Sequence, residues 1–324
     1  MVQLTGPGTP YITPDVLRRA PTGIDWTTIP SRSASTVEQA AELANICLRA
    51  TGLIEGVTNQ VLRATLDEEW FSGPDWRVTI NNNTGTCRIL VSRWPILQVV
   101  SALVSADVWP RSWQTVTSDY LDIEKPPIGL FGAAQAADVP DGGQSILMAP
   151  GYVDRTMGRN GYRIQLVYVN GWPHTSLTAI ATPGSPQTIQ VDDCTGWGPS
   201  VYDPVNMQMG ATGIFYDGYY QEVAQVIAAT AISGSIPAAG PGTLTLASQL
   251  SFTHGAGVLF TALPRSVMNA TIDMASSLAL ERGSTATTVQ SVSGGSGAAG
   301  GGPLGVEGLR ALAAKAVQSY ARVI

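Results

Sequence analysis

The sequence predicts an α+β fold, and three observations carry that prediction. Ser35-Thr36-Val37-Glu38 is a capping box: the Ser side chain meets an N–H of the first turn, Glu38 reaches back, and helically spaced apolar residues follow. Trp76–Ile80 and Thr86–Val91 flank the Asn81–Gly85 turn, which is a β-hairpin signal. Residues 174–263 contain no Lys or Arg but carry Asp192, Asp193, Asp203, Asp217 and Glu222, and their apolar runs are short and separated by turns. So sharp a shift in charge predicts a separate small β-sandwich or barrel.

Taken in order, residues 1–34 hold five prolines and read as an extended arm that needs a partner surface to order it. Within it, Thr13 caps a short turn with Pro14 at the first helical position. The helix from Ser35 presents Val37, Ala40, Ala41, Ala44, Cys47 and Leu48 as its apolar face. Gly52 and Gly56 predict a break, and a second helical piece spans Ile54–Leu66 with Val57, Val61 and Leu62 on one side. Beyond Asp67-Glu68-Glu69-Trp70 the pattern turns to period two. Arg93-Trp94-Pro95 makes a corner, Ile96–Ala106 a nearly continuous apolar strand, and Ser145–Met148 a short one. Tyr162–Asn170 is β-branched and aromatic; Asn170-Gly171 and Pro173 then end it.

Inside the cation-free segment, strands are expected at Thr188–Val191, Val205–Met209, Gly213–Tyr216, Gln221–Ile227, Thr243–Ala247 and Gly257–Ala262. Without cations their edges are poorly guarded against pairing with another chain. Leu263-Pro264-Arg265 opens a helix to about Arg282. Residues 283–303 form a Gly/Ser-rich linker, and Gly305–Val323 a last amphipathic helix with Arg310, Lys315 and Arg322 against Glu307.

Bulk composition narrows the function. Charged residues make up only 13% and the net charge is -6, which disfavours a protein that grips nucleic acid electrostatically. Three widely spaced cysteines, with no CxxC pair, argue against a disulfide framework or a zinc site. The N-terminus shows no signal peptide, and no apolar run is long enough for a membrane span. No Walker loop, GxGxxG, HExxH or GxSxG elbow occurs, so neither a cofactor nor a catalytic site is expected. His174 and His254 read as turn or packing residues with no partner constellation. Asp192-Asp193 and Asp67-Glu68-Glu69 lack the spaced ligands of a calcium loop. Eight Trp and ten Tyr against five Phe suit interfaces, where one end of the ring is wet. A sugar-stacking platform built from turn aromatics, Trp109, Trp113, Trp172, Trp197, Tyr202, Tyr216, Tyr219 and Tyr220, is the alternative.

The order of these elements resembles the head-to-tail connector (adaptor) proteins of long-tailed bacteriophages. The resemblance rests on Tyr11-Ile12-Thr13, the helical region 35–66, the Arg93-Trp94-Pro95-Ile96 corner, the Tyr168-Val169-Asn170-Gly171 strand end and the Leu263-Pro264-Arg265 helix. It covers about residues 10–105 and 160–324. It implies a connector-type core of helices and strands over 35–173 plus 263–282, interrupted by an inserted acidic β module at 174–262. Around these lie the arm 1–34, the linker 283–303 and a C-terminal helical arm 304–324. Asn170 and Ala262 should then lie close together. The resemblance further implies a structural virion protein of the viral neck, assembled in a host cytoplasm. It would form a homo-oligomeric ring of about twelve copies between the portal protein and a tail-side stopper or tail terminator protein. Packaged double-stranded DNA would pass through the channel without sequence recognition. The expected interface residues are Leu309, Arg310, Leu312, Lys315, Ala316, Tyr320 and Arg322 of the last helix, with Tyr11 and Trp172. A carbohydrate-binding tail or baseplate component, using 174–262 as the binder, is the competing reading. A hydrolase built on His174 or His254 is a third.

Overall fold

The structure is a computed structural model that describes residues 8–31, 33–81, 83–107, 111–124, 145–153, 161–184, 187–198, 211–218, 220–235, 237–281 and 306–321. It is an α+β protein with three buried apolar clusters, one among helices, one between two sheets and one inside a barrel.

α1 (Pro14–Arg19) is capped by Thr13, whose side chain accepts from the Val16 N–H. α2 (Thr36–Thr58) starts on the capping box, with the Ser35 N–H donating to Glu38 at 2.8 Å. The expected break at Gly52 and Gly56 does not occur. Each glycine costs about 1 kcal/mol in a helix interior, and continuous burial of Leu43, Ile46, Cys47, Ala50 and Ile54 outweighs that. The second helical piece is also corrected. Asn59 turns left-handed at φ 53° and ends α2, and Thr65–Ser72 forms β1. The apolar face was misassigned as well: Val37, Ala40, Ala41 and Leu48 are exposed. An alanine-rich helix is apolar on most sides, so its periodicity does not choose which side meets the core.

The next strands are β2 (Val78–Ile80), β3 (Cys87–Leu90), β4 (Ile96–Ala106), β5 (Gln114–Val116), β6 (Leu121–Glu124), β7 (Ser145–Met148) and β8 (Tyr162–Asn170). They form two four-stranded antiparallel sheets, ordered β1-β8-β4-β5 and β2-β3-β7-β6. Phe71, Val104, Ile164 and Tyr168 of the first share one buried cluster with Ile89, Ile123, Ile146 and Met148 of the second, so the two sheets make a sandwich.

β9 (His174–Ser176), β10 (Thr188–Val191), β11 (Thr212–Asp217), β12 (Tyr220–Ala231), β13 (Gly242–Leu246) and β14 (Leu259–Thr261) form a second architecture, ordered β10-β13-β12-β11-β14-β9. Residues just beyond β9 pair with β10: Asp192 N–H donates to the Ser176 carbonyl at 3.0 Å and Thr178 N–H to the Gln190 carbonyl at 3.0 Å. That closes the sheet into a barrel around Trp197, Phe215, Val226, Leu244 and Phe260. The expected open edges are therefore satisfied within the chain. The expected strand Val205–Met209 lies outside the described residues. The chain enters and leaves the barrel side by side: β9 pairs with β14, and Ala262 N–H donates to the Pro173 carbonyl at 2.8 Å. Asn170 is the last residue of β8, three positions before that carbonyl.

α3 (Arg265–Glu281) and α4 (Val306–Val317) complete the helical layer with α2. α3 is central and buries Val267, Met268, Ala270, Met274 and Leu278. Leu66, Leu97, Val100 and Val169 of the first sheet belong to this cluster, so the helices sit against one end of its outer face. Residues 8–31 of the N-terminal arm are ordered by the chain itself: Tyr11, Ile12, Leu17, Trp26 and Ile29 are buried in the same cluster. Among the described residues, no helix is long and apolar enough to cross a membrane.

Candidate interaction surface

Three consecutive residues ahead of α1 strap the helical layer to the barrel. The Thr9 hydroxyl donates to Asp192 at 2.6 Å, the Pro10 carbonyl accepts from His174 Nε2 at 2.9 Å, and the Tyr11 hydroxyl donates to Glu55 at 2.9 Å. The same hydroxyl accepts from the Leu62 N–H at 2.7 Å, and the Tyr11 N–H donates to Thr51 at 3.0 Å. A carbonyl can only accept, so Nε2 of His174 carries the proton and Nδ1 accepts from the Thr261 hydroxyl at 2.8 Å. His174 is thus a satisfied neutral ring, and burial pushes its pKa down to about 4. Burial pushes Asp192 the other way, but hydrogen bonds from Ser176, Thr175 and Thr9 outweigh it and hold the carboxyl below its ordinary range.

This strap predicts acid sensitivity. His174 titrates lower in the folded chain than in the unfolded one, so its contribution is complete above about pH 6.5 and fades as pH falls toward 4. Between pH 7 and 5 the loss is about 2 kcal/mol. Urea unfolding at both pH values is expected to show His174→Gln, which keeps a donor for Pro10, losing about that much less than the native chain. Equal losses would exonerate His174.

His254 does have partners, contrary to the sequence reading. Its ring is fully buried, with Nδ1 3.1 Å from Asp217 and Nε2 3.2 Å from Glu222. Both ring nitrogens therefore face carboxylate oxygens. The ring stacks on Phe215 at 4.4 Å, and the stack continues through Phe260 to Trp197. Glu222 also accepts from the Ser251 N–H at 2.6 Å, so the cluster clamps the 251–254 loop to the β11–β12 hairpin. Asp67 and Glu69 are buried on the inner face of β1, held by Arg93, Asn170, Ser92, Tyr168 and Arg77. These titratable clusters tie elements together inside the protein. Among the described residues, no group of three or more His, Cys, Asp or Glu could hold a metal ion.

What the described surface offers instead is apolar. On α2, Val37 is 75% exposed and Leu48 49%. With Ala41, Ala44 and Gly52 they follow at steps of four, three, four and four residues, which places them on one side of the helix. Leu53 and Val57 are exposed near its end, and no described residue lies within 4 Å of where a Cβ on Gly52 or Gly56 would sit, the helix's own backbone aside. Helix α2 is therefore apolar on both sides, one side buried and the other exposed among the described residues.

The expected interface residues divide. Leu312 and Lys315 of α4 are exposed; Leu309, Arg310 and Ala316 are half-buried, with Arg310 bonded to Glu281 at 2.6 Å. Tyr11, Trp172 and Tyr320 lie inside the helical cluster and present no free surface, a correction that follows from their apolar rings filling the core. Arg322 lies outside the described residues. The turn aromatics divide similarly. Trp197 is buried in the barrel, Tyr220 is exposed and stacks on Phe252, and Trp113 packs edge-on against the exposed Trp70 on the first sheet. Trp109, Tyr202 and Tyr219 lie outside the described residues. The α2 outer face was missed as a surface because the sequence reading had assigned it to the core. Comparison with family models, with curated proteins and with solved structures finds no match to this chain.

Proposed function

We propose that the protein is a structural assembly subunit, a head-to-tail adaptor that builds a ring between a portal and a tail-side protein. The observation that carries this reading is the bare outer side of α2. Val37, Ala41, Leu48 and Gly52, with the half-buried Ala44, run along about 22 Å of α2 at 1.5 Å per residue, and that side is exposed among the described residues. An exposed apolar stripe along much of a helix marks a protein contact, and a head-to-tail contact whose rotation closes gives a ring. The barrel supports the same reading. It is closed, so it does not polymerise through strand edges, and between 174 and 263 it carries five carboxylates and no cation, which would let DNA slide past without holding it.

Light scattering and negative-stain imaging test the proposal. The native chain is expected at a multiple of 33.9 kDa with a central hole. Leu48→Glu, at an exposed position where folding should change by less than about 0.5 kcal/mol, is expected to give monomers with an unchanged melting curve. A native chain that stays monomeric at high concentration would overturn the reading.

A further inference from the structure

We propose that neighbouring copies exchange their C-terminal helix, Tyr320 of each chain plugging a socket on the next; this rests on the ring reading above.

The socket is assembled from four separate parts of the chain. Trp94 from the corner before β4 and Trp172 after β8 stand edge-on at 5.9 Å, and the Tyr320 ring sits 5.3 Å from Trp172 and 6.1 Å from Trp94. Gln60, just past α2, donates to the Tyr320 carbonyl at 2.6 Å. The Ser266 hydroxyl on α3 lies 2.9 Å from the Tyr320 hydroxyl. Tyr320 is 2% exposed, so the fit is complete. The helix that delivers it packs along α3. Within α4 only Ala313 and Val317 are buried, while Leu312 on the same helix remains exposed. Helix and plug would therefore move together.

The connection to that plug is far longer than its position requires. Glu281 at the end of α3 and Arg310 in the first turns of α4 form an ion pair at 2.6 Å, so the two helix ends adjoin. Antiparallel helices that adjoin are commonly joined by 2–8 residues, as a rough range. Here residues 282–305 intervene. Extended, that length spans on the order of 80 Å, enough to reach an adjacent copy. A long tether also dilutes the plug around its own socket, whereas a ring places an identical socket beside it. Exchange keeps every contact of the plug and adds a physical link between copies, which is the low-cost route of domain swapping. Trp172 would then be an interface residue after all, reached by the neighbour's Tyr320.

Cross-linking of the full chain decides the point. Cys47, Cys87 and Cys194 are buried, so in Glu281→Cys/Arg310→Cys the two new thiols are the exposed ones among the described residues. A short bismaleimide applied to the assembled protein is expected to give a ladder of covalent dimers and higher species on a denaturing gel. Either single variant should give none, and Tyr320→Ala in the double variant should abolish the ladder. If the particle has oligomeric native mass but the cross-link joins thiols of one chain only, exchange is overturned while the ring reading stands. A monomeric native mass overturns both.

Discussion

Glu69→Ala is expected to destabilise the fold by about 3–5 kcal/mol, because it removes the hub of a buried polar network rather than one bond. One carboxylate oxygen accepts from the Ser92 N–H at 3.0 Å, from the Ser92 hydroxyl at 2.6 Å and from the Tyr168 hydroxyl; the other accepts from Arg77 at 3.1 Å. Burial, then the neighbouring Glu69 charge, raises the Tyr168 phenol well above its ordinary range, so at neutral pH it is a committed donor. Truncation leaves that hydroxyl and the Ser92 N–H unpaired away from water, each costing about 1–3 kcal/mol. Arg77 is less affected, since it keeps Asp75 at 2.9 Å. Glu69→Gln retains acceptors and shape and should cost less than half as much. The midpoints of urea unfolding for the two variants measure this. A loss below about 1 kcal/mol for the alanine would show that water replaces the carboxylate, against the burial of the site.

Gly171→Ala should cost a similar amount, on the order of 3 kcal/mol or more, for a backbone reason. Gly171 has φ 89°, and a Cβ there would lie 2.4 Å from the Arg63 carbonyl oxygen and 2.9 Å from that of Leu62. The surroundings cannot yield easily. Gly171 N–H donates to the Pro95 carbonyl at 2.8 Å, Trp172 N–H to the Leu62 carbonyl at 2.8 Å, and Ala64 N–H to the Trp172 carbonyl at 2.7 Å. Three stretches of backbone are therefore locked together at the end of β8. Gly151 is the control: its φ is 99° but no described residue lies within 4 Å of a Cβ there. Gly151→Ala should show the positive-φ penalty alone, about 1–2 kcal/mol. Thermal melts of the two variants separate strain from close approach, and equal shifts would show that the approach is unimportant. Because Trp172 follows Gly171 directly, the same substitution should also loosen the Tyr320 socket.

The sequence reading reached the features whose physics is local. The capping box at Ser35, the hairpin around Asn81–Gly85 and the turn that ends β8 each depend on a few adjacent residues, and each is in the structure. The charge boundary at 174 is equally local, and it coincides with the start of β9. β1 escaped because its pattern is inverted: Asp67 and Glu69 point inward with Phe71, while Trp70 points out. Hydrophobic alternation cannot find a strand whose inner residues are carboxylates, and those carboxylates are tolerable only because Arg93, Tyr168 and Asn170 arrive from 26 to 103 positions away.

The interaction surface shows the same division. That α2 is a long, alanine-rich, apolar helix is written in its residues. Which side lies bare was decided by α3 and the first sheet, which cover Leu43, Ile46 and Ile54 and leave Val37 and Leu48 uncovered. Likewise Tyr11, Trp172 and Tyr320 were expected at an interface, and only their convergence with Trp94 and α3 made them core. By itself, then, the sequence determined the α+β class, the caps and turns, and a cation-free segment of short strands. The tertiary structure alone decided the sandwich, the closure of the barrel, the strap through His174 and the exposed side of α2. Capping and turn energies act between residues a few positions apart, whereas burial, strand pairing and buried hydrogen bonds join residues that only the fold brings together.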